Sequence, residues 1–283
     1  MNEQTRHKIR SRARGSLWRV QELAARPTVR WRILPDYLVV GAQRCGTTSL
    51  QDLLSGHPQV VPPRWRKGIH YFDTDYQLGP DWYRSHFPWR RSTNGGRITG
   101  EASPYYLFHP AVPQRIFDLV PDAKIIASLR DPVERAVSHH KHEVRRGFET
   151  LDLGDALKAE AERIEGEAER LMTDRGATSY NHQHYSYISR GRYAEQIARY
   201  LDLFPKDNVL ILEAETTWRD PAGTLREILR FLELEPWSPK YTPRTNATEA
   251  SSIPDEVRDY LQEKFRPSNR DLESLLGRSF SWT

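Results

Sequence analysis

A short apolar run, a loop bounded by two glycines and an amphipathic stretch follow one another near the start of the chain. Leu38–Val40 has the length and composition of a buried strand, and Gly41 and Gly46 bound the loop behind it. From Ser49 onward, apolar residues recur at helical spacing. A helix that begins behind such a loop directs free N–H groups and the positive end of its dipole toward an anion. The pattern predicts a phosphate-type site, and an ordinary glycine turn before a helix is the simpler alternative.

The spacing from Gly41 to Gly46 matches the first part of the P-loop of nucleoside triphosphate hydrolases and kinases. In that motif a lysine follows the second glycine and contacts the outer phosphates. Thr47 stands at that position here, and the cation of the loop is Arg44. We therefore expect a different anion and no metal. A P-loop kinase-like phosphotransferase is an alternative, which would require metal-dependent turnover of a triphosphate.

A second junction of strand and helix lies near the middle of the chain. Ile125–Leu129 reads as a strand, and Asp131 is a favourable N-cap for the helix that follows. Arg130 then stands at the carboxyl end of a strand, and Ser138 lies about two turns into the helix. Ligands of open parallel sheets bind at those carboxyl ends. The alternative for Arg130 is a surface ion pair with Asp131 or Glu134.

The alternation of strands and helices continues toward the C-terminus. The pattern predicts a helix over 193–204, a strand over 208–213 and a helix over 221–232 that Asp220 caps. At 283 residues the chain suits one large domain. We expect an α/β fold, a P-loop-like parallel β-sheet flanked by helices on both faces, in a single domain over residues 35–283.

Positive charge is concentrated at the N-terminus. Residues 1–34 carry nine Lys and Arg and two acids, a net charge of +7, which leaves −3 of the total +4 for the remainder. Such a basic N-terminal extension could make a peripheral contact with an anionic membrane. The simpler interpretation is a terminal helix that packs on the domain. The pI of about 9.1 would suit a nucleic-acid binder, but the negative remainder argues against a nucleic-acid partner.

The chain carries a single cysteine, Cys45, so no internal disulfide can form. No apolar run approaches membrane-spanning length, so we expect neither a transmembrane segment nor a signal peptide. A cytoplasmic location is the simplest expectation.

Taken together, the two strand-to-helix junctions resemble the phosphate-binding elements of sulfotransferases that use 3′-phosphoadenosine 5′-phosphosulfate (PAPS). The resemblance extends to the heparan-sulfate-type branch and its bacterial relatives, and it covers about residues 36–283. Further motifs recur in the same order at 67–73 (KGIHYFD), 82–83 (WY), 100–106 (GEASPYY) and 275–282 (LLGRSFSW). Several ordered motifs are more specific than one loop.

The resemblance implies roles for individual residues. PAPS is the expected co-substrate, and no metal is required. The 5′-phosphosulfate is expected on the loop made of Arg44, Cys45, Gly46, Thr47, Thr48 and Ser49. Arg44 falls where relatives have a catalytic Lys or Arg, and Arg130 and Ser138 match residues that hold the 3′-phosphate. Relatives also close over that phosphate with a Lys-Gly-Arg loop, which is absent from residues 241–248, where Arg244 is the candidate substitute.

The general base is where the chain departs from the heparan pattern. Relatives place a catalytic Glu at the position of Gly68, and glycine cannot accept a proton. His142 matches a histidine that assists catalysis in N-sulfotransferases, and it lies on the helix face of Ser138. His70 and Glu101 are the other candidates, with the alternatives that His70 is a hydrogen-bonded core group and Glu101 a structural cap or pair. A catalytically impaired nucleotide- or carbohydrate-binding protein of the same fold is therefore also open.

The acceptor group is expected to be a hydroxyl or an amine of a carbohydrate, a glycolipid or a small metabolite. Residues 153–171 predict one amphipathic helix, and Tyr180–Tyr187 is dense in aromatic and hydrogen-bonding groups that suit a sugar-like acceptor. Aromatic pairs also pack domain interiors. We interpret residues 151–190 as a candidate lid on the acceptor side.

Overall fold

Four short strands form one parallel sheet in the computed structural model, which describes residues 26–64, 68–239 and 253–283. They are β1 (Tyr37–Gly41), β2 (Gly100–Ala102), β3 (Lys124–Leu129) and β4 (Val209–Glu213). Their spatial order is β2-β1-β3-β4, and each neighbouring pair is parallel. The carboxyl ends of the strands therefore share one edge of the sheet, where α/β folds bind ligands.

Helices connect the strands and pack on them. They are α1 (Thr47–Ser55), α2 (Pro80–Ser85), α3 (Val112–Leu119), α4 (Pro132–Arg146), α5 (Leu153–Ile164), α6 (Glu167–Thr173), α7 (Tyr180–His184), α8 (Tyr193–Leu201), α9 (Ala214–Arg219), α10 (Pro221–Phe231) and α11 (Asp255–Leu276). Short 3-10 turns lie at Arg26–Trp31, Tyr76–Leu78, Arg90–Thr93, Ser189–Gly191 and Lys206–Asn208.

Both faces of the sheet are covered, as the alternation of side chains along β1 shows. Leu38 and Val40 belong to one apolar cluster, which also contains residues of α3, α8 and α11. Tyr37 and Val39 point to the other face and pack with residues of α1 and α10. Successive side chains of a strand point to opposite faces, so this division confirms the predicted α/β sandwich with helices on both sides.

The predicted helix starts are confirmed by their capping contacts. The Asp131 carboxylate accepts a hydrogen bond from the Val133 N–H at 2.8 Å, and α4 begins at Pro132. The Asp220 carboxylate accepts in the same way from the Gly223 N–H at 2.8 Å. These side chains satisfy N–H groups that the first helical turn leaves without a partner.

The amphipathic stretch over 153–171 is two helices rather than the single predicted one. The break falls between Ile164 and Glu167, where Gly166 adopts a φ of 70° and becomes the N-cap of α6. A residue in the left-handed region cannot continue an α-helix, and glycine adopts that conformation at little cost. The apolar periodicity continues across the break, which is why the periodicity alone did not reveal it.

Some of the sequence predictions fall on other parts of the chain. Residues 1–25, Lys67 and Arg244 lie outside the described residues. Within the described ranges, no helix is both long enough and apolar enough to cross a bilayer.

Candidate functional site

The loop between β1 and α1 is fastened to β3. The Ala42 N–H donates to the Ser128 carbonyl at 2.8 Å, and the Ser128 hydroxyl donates to the Cys45 carbonyl at 2.9 Å. The N-cap of α1 is Gly46, which has a φ of 81° and no side chain to cap the helix. The first hydrogen bond of the helix runs from the Leu50 N–H to the Gly46 carbonyl at 3.0 Å.

The N–H groups of Thr47, Thr48 and Ser49 precede that first bond, so the helix gives them no acceptor. They lie where the helix dipole is positive, at the carboxyl edge of the sheet. Thr47 is buried, Thr48 is exposed and Ser49 is half-buried. The segment thus has the arrangement of an anion-binding helix start, as its sequence predicted.

Arg44 joins this loop to α4. Its Nε donates to the Ser138 hydroxyl at 3.0 Å, across 94 residues of sequence. Burial, together with the positive charges of Arg145 and Arg130, lowers the pKa of Arg44. The guanidinium nevertheless keeps its charge at neutral pH, because an arginine titrates far above 7. The structure therefore brings three of the predicted residues, Arg44, Ser138 and Arg130, into one cationic region.

Arg130 follows β3 and carries unused hydrogen-bonding capacity. Its Nη2 is 3.8 Å from the Glu134 carboxylate, a long ion pair, and its guanidinium lies 5.2 Å from the ring centre of Trp218. Its Nε is buried and has no acceptor in the described part of the chain. A buried donor without a partner is costly, so this site favours an anionic ligand.

Trp218 is a component that sequence reasoning missed. It lies on α9, directly behind the carboxyl end of β4, and its indole Nε1 is 3.9 Å from where a Cβ at Gly46 would stand. It therefore provides an aromatic surface beside both Arg130 and the start of α1. A tryptophan one helical turn past a strand end was the available signal.

His142 lies one turn beyond Ser138 on α4, as the spacing predicted. Burial lowers the pKa of His142, and the neighbouring Arg44 lowers it further. Its Nδ1 is 3.2 Å from Nη2 of the exposed Arg145, close enough to accept a hydrogen bond. The imidazole is therefore neutral at pH 7 and stands beside the cations of the site.

His70 lies near the end of β2 and is held by Asp73. Its Nδ1 is 2.9 Å from the Asp73 carboxylate, and its backbone has a φ of 58°. Burial opposes a charge on the ring, but the Asp73 carboxylate outweighs it and raises the pKa of His70 to about 9. A Cβ built on Gly68 would be 3.1 Å from the His70 Nε2. The imidazole thus lies beside the position where relatives are expected to carry a carboxylate.

Glu101 on β2 is fully buried, and both of its oxygens accept hydrogen bonds inside the protein. Oε2 accepts from the Ser103 hydroxyl at 2.7 Å and from the Ile69 N–H at 3.1 Å. Oε1 accepts from the hydroxyls of Tyr106 at 2.8 Å and Tyr83 at 3.1 Å. Burial raises the pKa of Glu101. The contact with Ile69 also fixes the backbone next to His70.

We expect Glu101→Ala to lower the free energy of unfolding by about 3 kcal/mol, because several buried donors lose their acceptor at once. Urea denaturation measures the change. The exposed Glu162 offers a control, and Glu162→Ala should change stability by less than about 0.5 kcal/mol. Wild-type stability combined with a loss of enzymatic activity would instead assign Glu101 to catalysis.

Arg190 connects the loop between β1 and α1 to the segment over 151–190. It is buried, donates to the Gln43 side-chain oxygen, and donates to the carbonyls of His182 and Gln183, the latter at 2.6 Å. Burial lowers the pKa of Arg190 to about 10. A buried, still charged arginine therefore positions the loop, and its sequence context gave no sign of this role.

Cys45 lies on the inner side of the loop. Its side chain is 2% exposed, and burial raises the pKa of the thiol to about 11. A thiol that stays protonated at neutral pH is a poor nucleophile, so the side chain of Cys45 packs the loop rather than acting as a nucleophile.

In the part of the chain that the structure describes, no three His, Cys, Asp or Glu side chains converge as a metal site.

Comparison with known proteins matches residues 34–261 to the sulfotransferase domain family. The chain belongs to the sulfotransferase family. Among curated relatives, this sulfotransferase is 27% identical to the membrane-associated sulfotransferase kil1 of Dictyostelium discoideum, over 88% of its own length. It is 28% identical to the mouse heparan sulfate glucosamine 3-O-sulfotransferase 3B1, again over 88%. The chain spans 66% and 65% of these two proteins, respectively.

Solved structures agree with the fold of the sulfotransferase. A sulfotransferase from Alicyclobacillus acidocaldarius is 33% identical, with a TM-score of 0.68 over 88% of this chain and 98% of that one. A mouse sulfotransferase complexed with PAP has a TM-score of 0.50 at 15% identity, over 86% of this chain and 88% of that one. The second similarity is one of fold alone.

Proposed function

We propose that this sulfotransferase transfers a sulfuryl group from PAPS to a hydroxyl group of a carbohydrate-like acceptor. The observation that carries the proposal is the contact between Arg44 and Ser138, 3.0 Å long, which joins the loop behind β1 to the helix behind β3. It brings together a helix start, a half-buried cation and a hydroxyl at the carboxyl edge of the sheet. Membership of the sulfotransferase family supports the same reaction.

In this proposal the 5′-phosphosulfate binds the N–H groups at the start of α1 and the side chain of Arg44. The 3′-phosphate binds Arg130, whose buried Nε lacks an acceptor among the described residues, and Ser138. Cys45 and Gly46 contribute backbone groups to the loop that binds the 5′-phosphosulfate, and the indole ring of Trp218 packs against the nucleoside. The mouse sulfotransferase of similar fold is a complex with PAP, the product that this donor leaves, which supports the choice. Arg244 remains a candidate to close over the 3′-phosphate.

We assign the role of general base to His70. The ring acts as a base only after the imidazolium has lost its proton, which its pKa of about 9 places at alkaline pH. Asp73 holds Nδ1–H of that neutral ring, so the opposite nitrogen, Nε2, is the one that accepts a proton. As the acceptor oxygen bonds to sulfur, its proton passes to Nε2, and the bond between sulfur and the bridging oxygen of the donor breaks. PAP leaves with the added negative charge beside Arg44, a charge that a fixed cation stabilises. In this scheme His142 lies on the donor side, and Glu101 positions the backbone at Ile69.

The class of acceptor rests on the relatives. The name of the mouse relative specifies a glucosamine of heparan sulfate, so an amino-sugar hydroxyl is the first acceptor to try, before glycolipids and small hydroxylated metabolites. The segment over 151–190 remains our candidate lid, since Arg190 links it to the donor loop. The cytoplasmic location also stays a prediction, which cell fractionation tests.

The test of this function is formation of PAP from PAPS in the presence of a metal chelator and a panel of such acceptors. Acceptor-dependent formation of PAP supports the proposal. Tight PAP binding without transfer to any acceptor would favour the non-catalytic binding protein that Gly68 suggests. Turnover of ATP that depends on magnesium would favour the P-loop kinase-like alternative.

Arg130→Ala should weaken PAP binding about 10- to 100-fold, because a charge-assisted hydrogen bond contributes roughly 1.5–3 kcal/mol. Equilibrium dialysis with PAP measures the effect. Arg230 is exposed on α10, and Arg230→Ala is the matched control that should bind PAP like the wild type. Unchanged affinity in Arg130→Ala would remove this residue from the donor site.

A further inference from the structure

Two tryptophans and several exposed arginines lie on two neighbouring segments outside the candidate site. These segments precede β1 and β2 in the chain, and an antiparallel bridge between Arg32 and Trp89 joins them. We call this surface the Arg–Trp patch and define it by Arg30, Trp31, Arg64, Trp89, Arg90 and Arg91. None of these residues belongs to the donor or acceptor machinery proposed above.

The two indoles of the patch lie side by side and are flanked by guanidinium groups. The ring centres of Trp31 and Trp89 are 6.1 Å apart, and their planes differ by 14°. The guanidinium carbon of Arg30 is 4.0 Å from the ring centre of Trp31, and that of Arg91 is 5.2 Å from the ring centre of Trp89. Trp31 is 45% exposed. A large apolar ring left this exposed in a cationic setting indicates a contact surface.

The positive charge of the patch is not neutralised within the described residues. No carboxylate there forms an ion pair with Arg30, Arg64, Arg90 or Arg91. Burial and the charge of Arg64 together lower the pKa of the neighbouring Arg32, which shows that the guanidinium groups repel one another. Such an arrangement is complementary to a surface of fixed negative charge.

We propose that the Arg–Trp patch docks this protein on an anionic phospholipid surface. Indole rings favour the boundary between lipid headgroups and acyl chains, and basic side chains bind anionic headgroups. A single-stranded nucleic acid would need free ring faces for base stacking, whereas here the faces already contact each other and Arg30. A stacked indole pair flanked by guanidinium groups suits shallow insertion into a lipid interface.

The test is flotation of the full-length protein with vesicles of phosphatidylcholine alone and of phosphatidylcholine with about 30% phosphatidylserine. The salt concentration is about 0.1 M, where screening extends over about 10 Å. We expect binding to the anionic vesicles only. R90E/R91E should weaken it by at least about 25-fold, since each lost basic residue removes about fivefold and the two new carboxylates are repelled by the anionic surface. R226E/R230E, which reverses two exposed arginines of α10, is the matched control and should bind within about twofold of the wild type.

A second variant, W31A/W89A, separates docking by the indoles from simple charge attraction, and it should also bind at least several-fold more weakly. Equal binding by R90E/R91E, W31A/W89A and the wild type would overturn the proposal and assign lipid binding to another basic segment. Absence of vesicle binding, or binding to heparin or DNA alone, would overturn it as well. PAP binding, measured on the same preparations, confirms that the variants are folded. It also keeps a failure of the proposed enzymatic function distinct from a failure of docking.

Discussion

Arg44→Ala should reduce kcat for sulfuryl transfer about 10²- to 10³-fold, the usual effect of removing one group that stabilises charge developing in a transition state. The affinity for PAP should fall much less, because the N–H groups of α1 and the side chain of Arg130 still bind the phosphates. Arg44 follows β1 and contacts Ser138 on α4, and in our proposal its charge acts on the leaving bridge oxygen. The measurements are PAP release for kcat and calorimetry for PAP binding.

Arg44→Lys is the informative companion to this substitution. Lysine keeps the positive charge but lacks the planar guanidinium group. It therefore cannot donate to Ser138 and to a phosphate at the same time with the geometry of arginine. We expect it to recover part of the lost rate. If Arg44→Ala weakens PAP binding as strongly as it slows transfer, then Arg44 contributes to donor binding in general and not specifically to the transition state.

His70→Ala should lower kcat about 10²- to 10⁴-fold, the range expected for loss of a positioned general base. The wild-type rate should also rise with pH until it levels off near 9. The rate should rise rather than fall with pH because a general base must be deprotonated to act. The Asp73 carboxylate raises the pKa of His70 to about 9, so the deprotonated ring accumulates only at alkaline pH. A pH–rate profile of kcat from pH 5 to 10 measures this limb.

Two further variants test whether the rise of kcat with pH reports the titration of His70. Asp73→Asn removes the carboxylate that raises the pKa of His70, so the rising limb should move toward more acidic pH. His142→Ala should leave the position of the limb unchanged. Burial and Arg44 lower the pKa of His142, so a base at His142 would give a rate that no longer changes with pH above 6.5. If the wild-type profile has that form, and His142→Ala abolishes its acidic limb, the general base is His142 and not His70.

The parts of the fold that follow from local patterns were predictable. β1 and β3 are short apolar runs bounded by residues that interrupt regular structure, and Asp131 is an N-cap followed by a proline. Each of these features can be recognised from a few consecutive residues. The position of Arg130 then followed from topology, because the end of a strand in a parallel sheet faces the ligand edge. These elements carry the donor half of the candidate site.

The contacts that complete the site depend on tertiary structure. The pair of His70 and Asp73 was not predicted, because it depends on a backbone φ of 58° at His70, which the residue type does not indicate. Trp218 and Arg190 reach the donor loop from distant segments, across packing that no periodicity encodes. The break at Gly166 depends on one left-handed residue inside a continuing apolar pattern.

The most direct measurement is calorimetric titration of the purified protein with PAP, ATP and AMP in buffer that contains a metal chelator. It requires no knowledge of the acceptor, and it tests whether the helix start, Arg44, Ser138 and Arg130 form a site for a 3′,5′-bisphosphorylated nucleoside. We predict one PAP site per chain and clearly weaker binding of ATP and AMP. Absence of PAP binding, or a preference for ATP once magnesium is restored, would contradict this prediction.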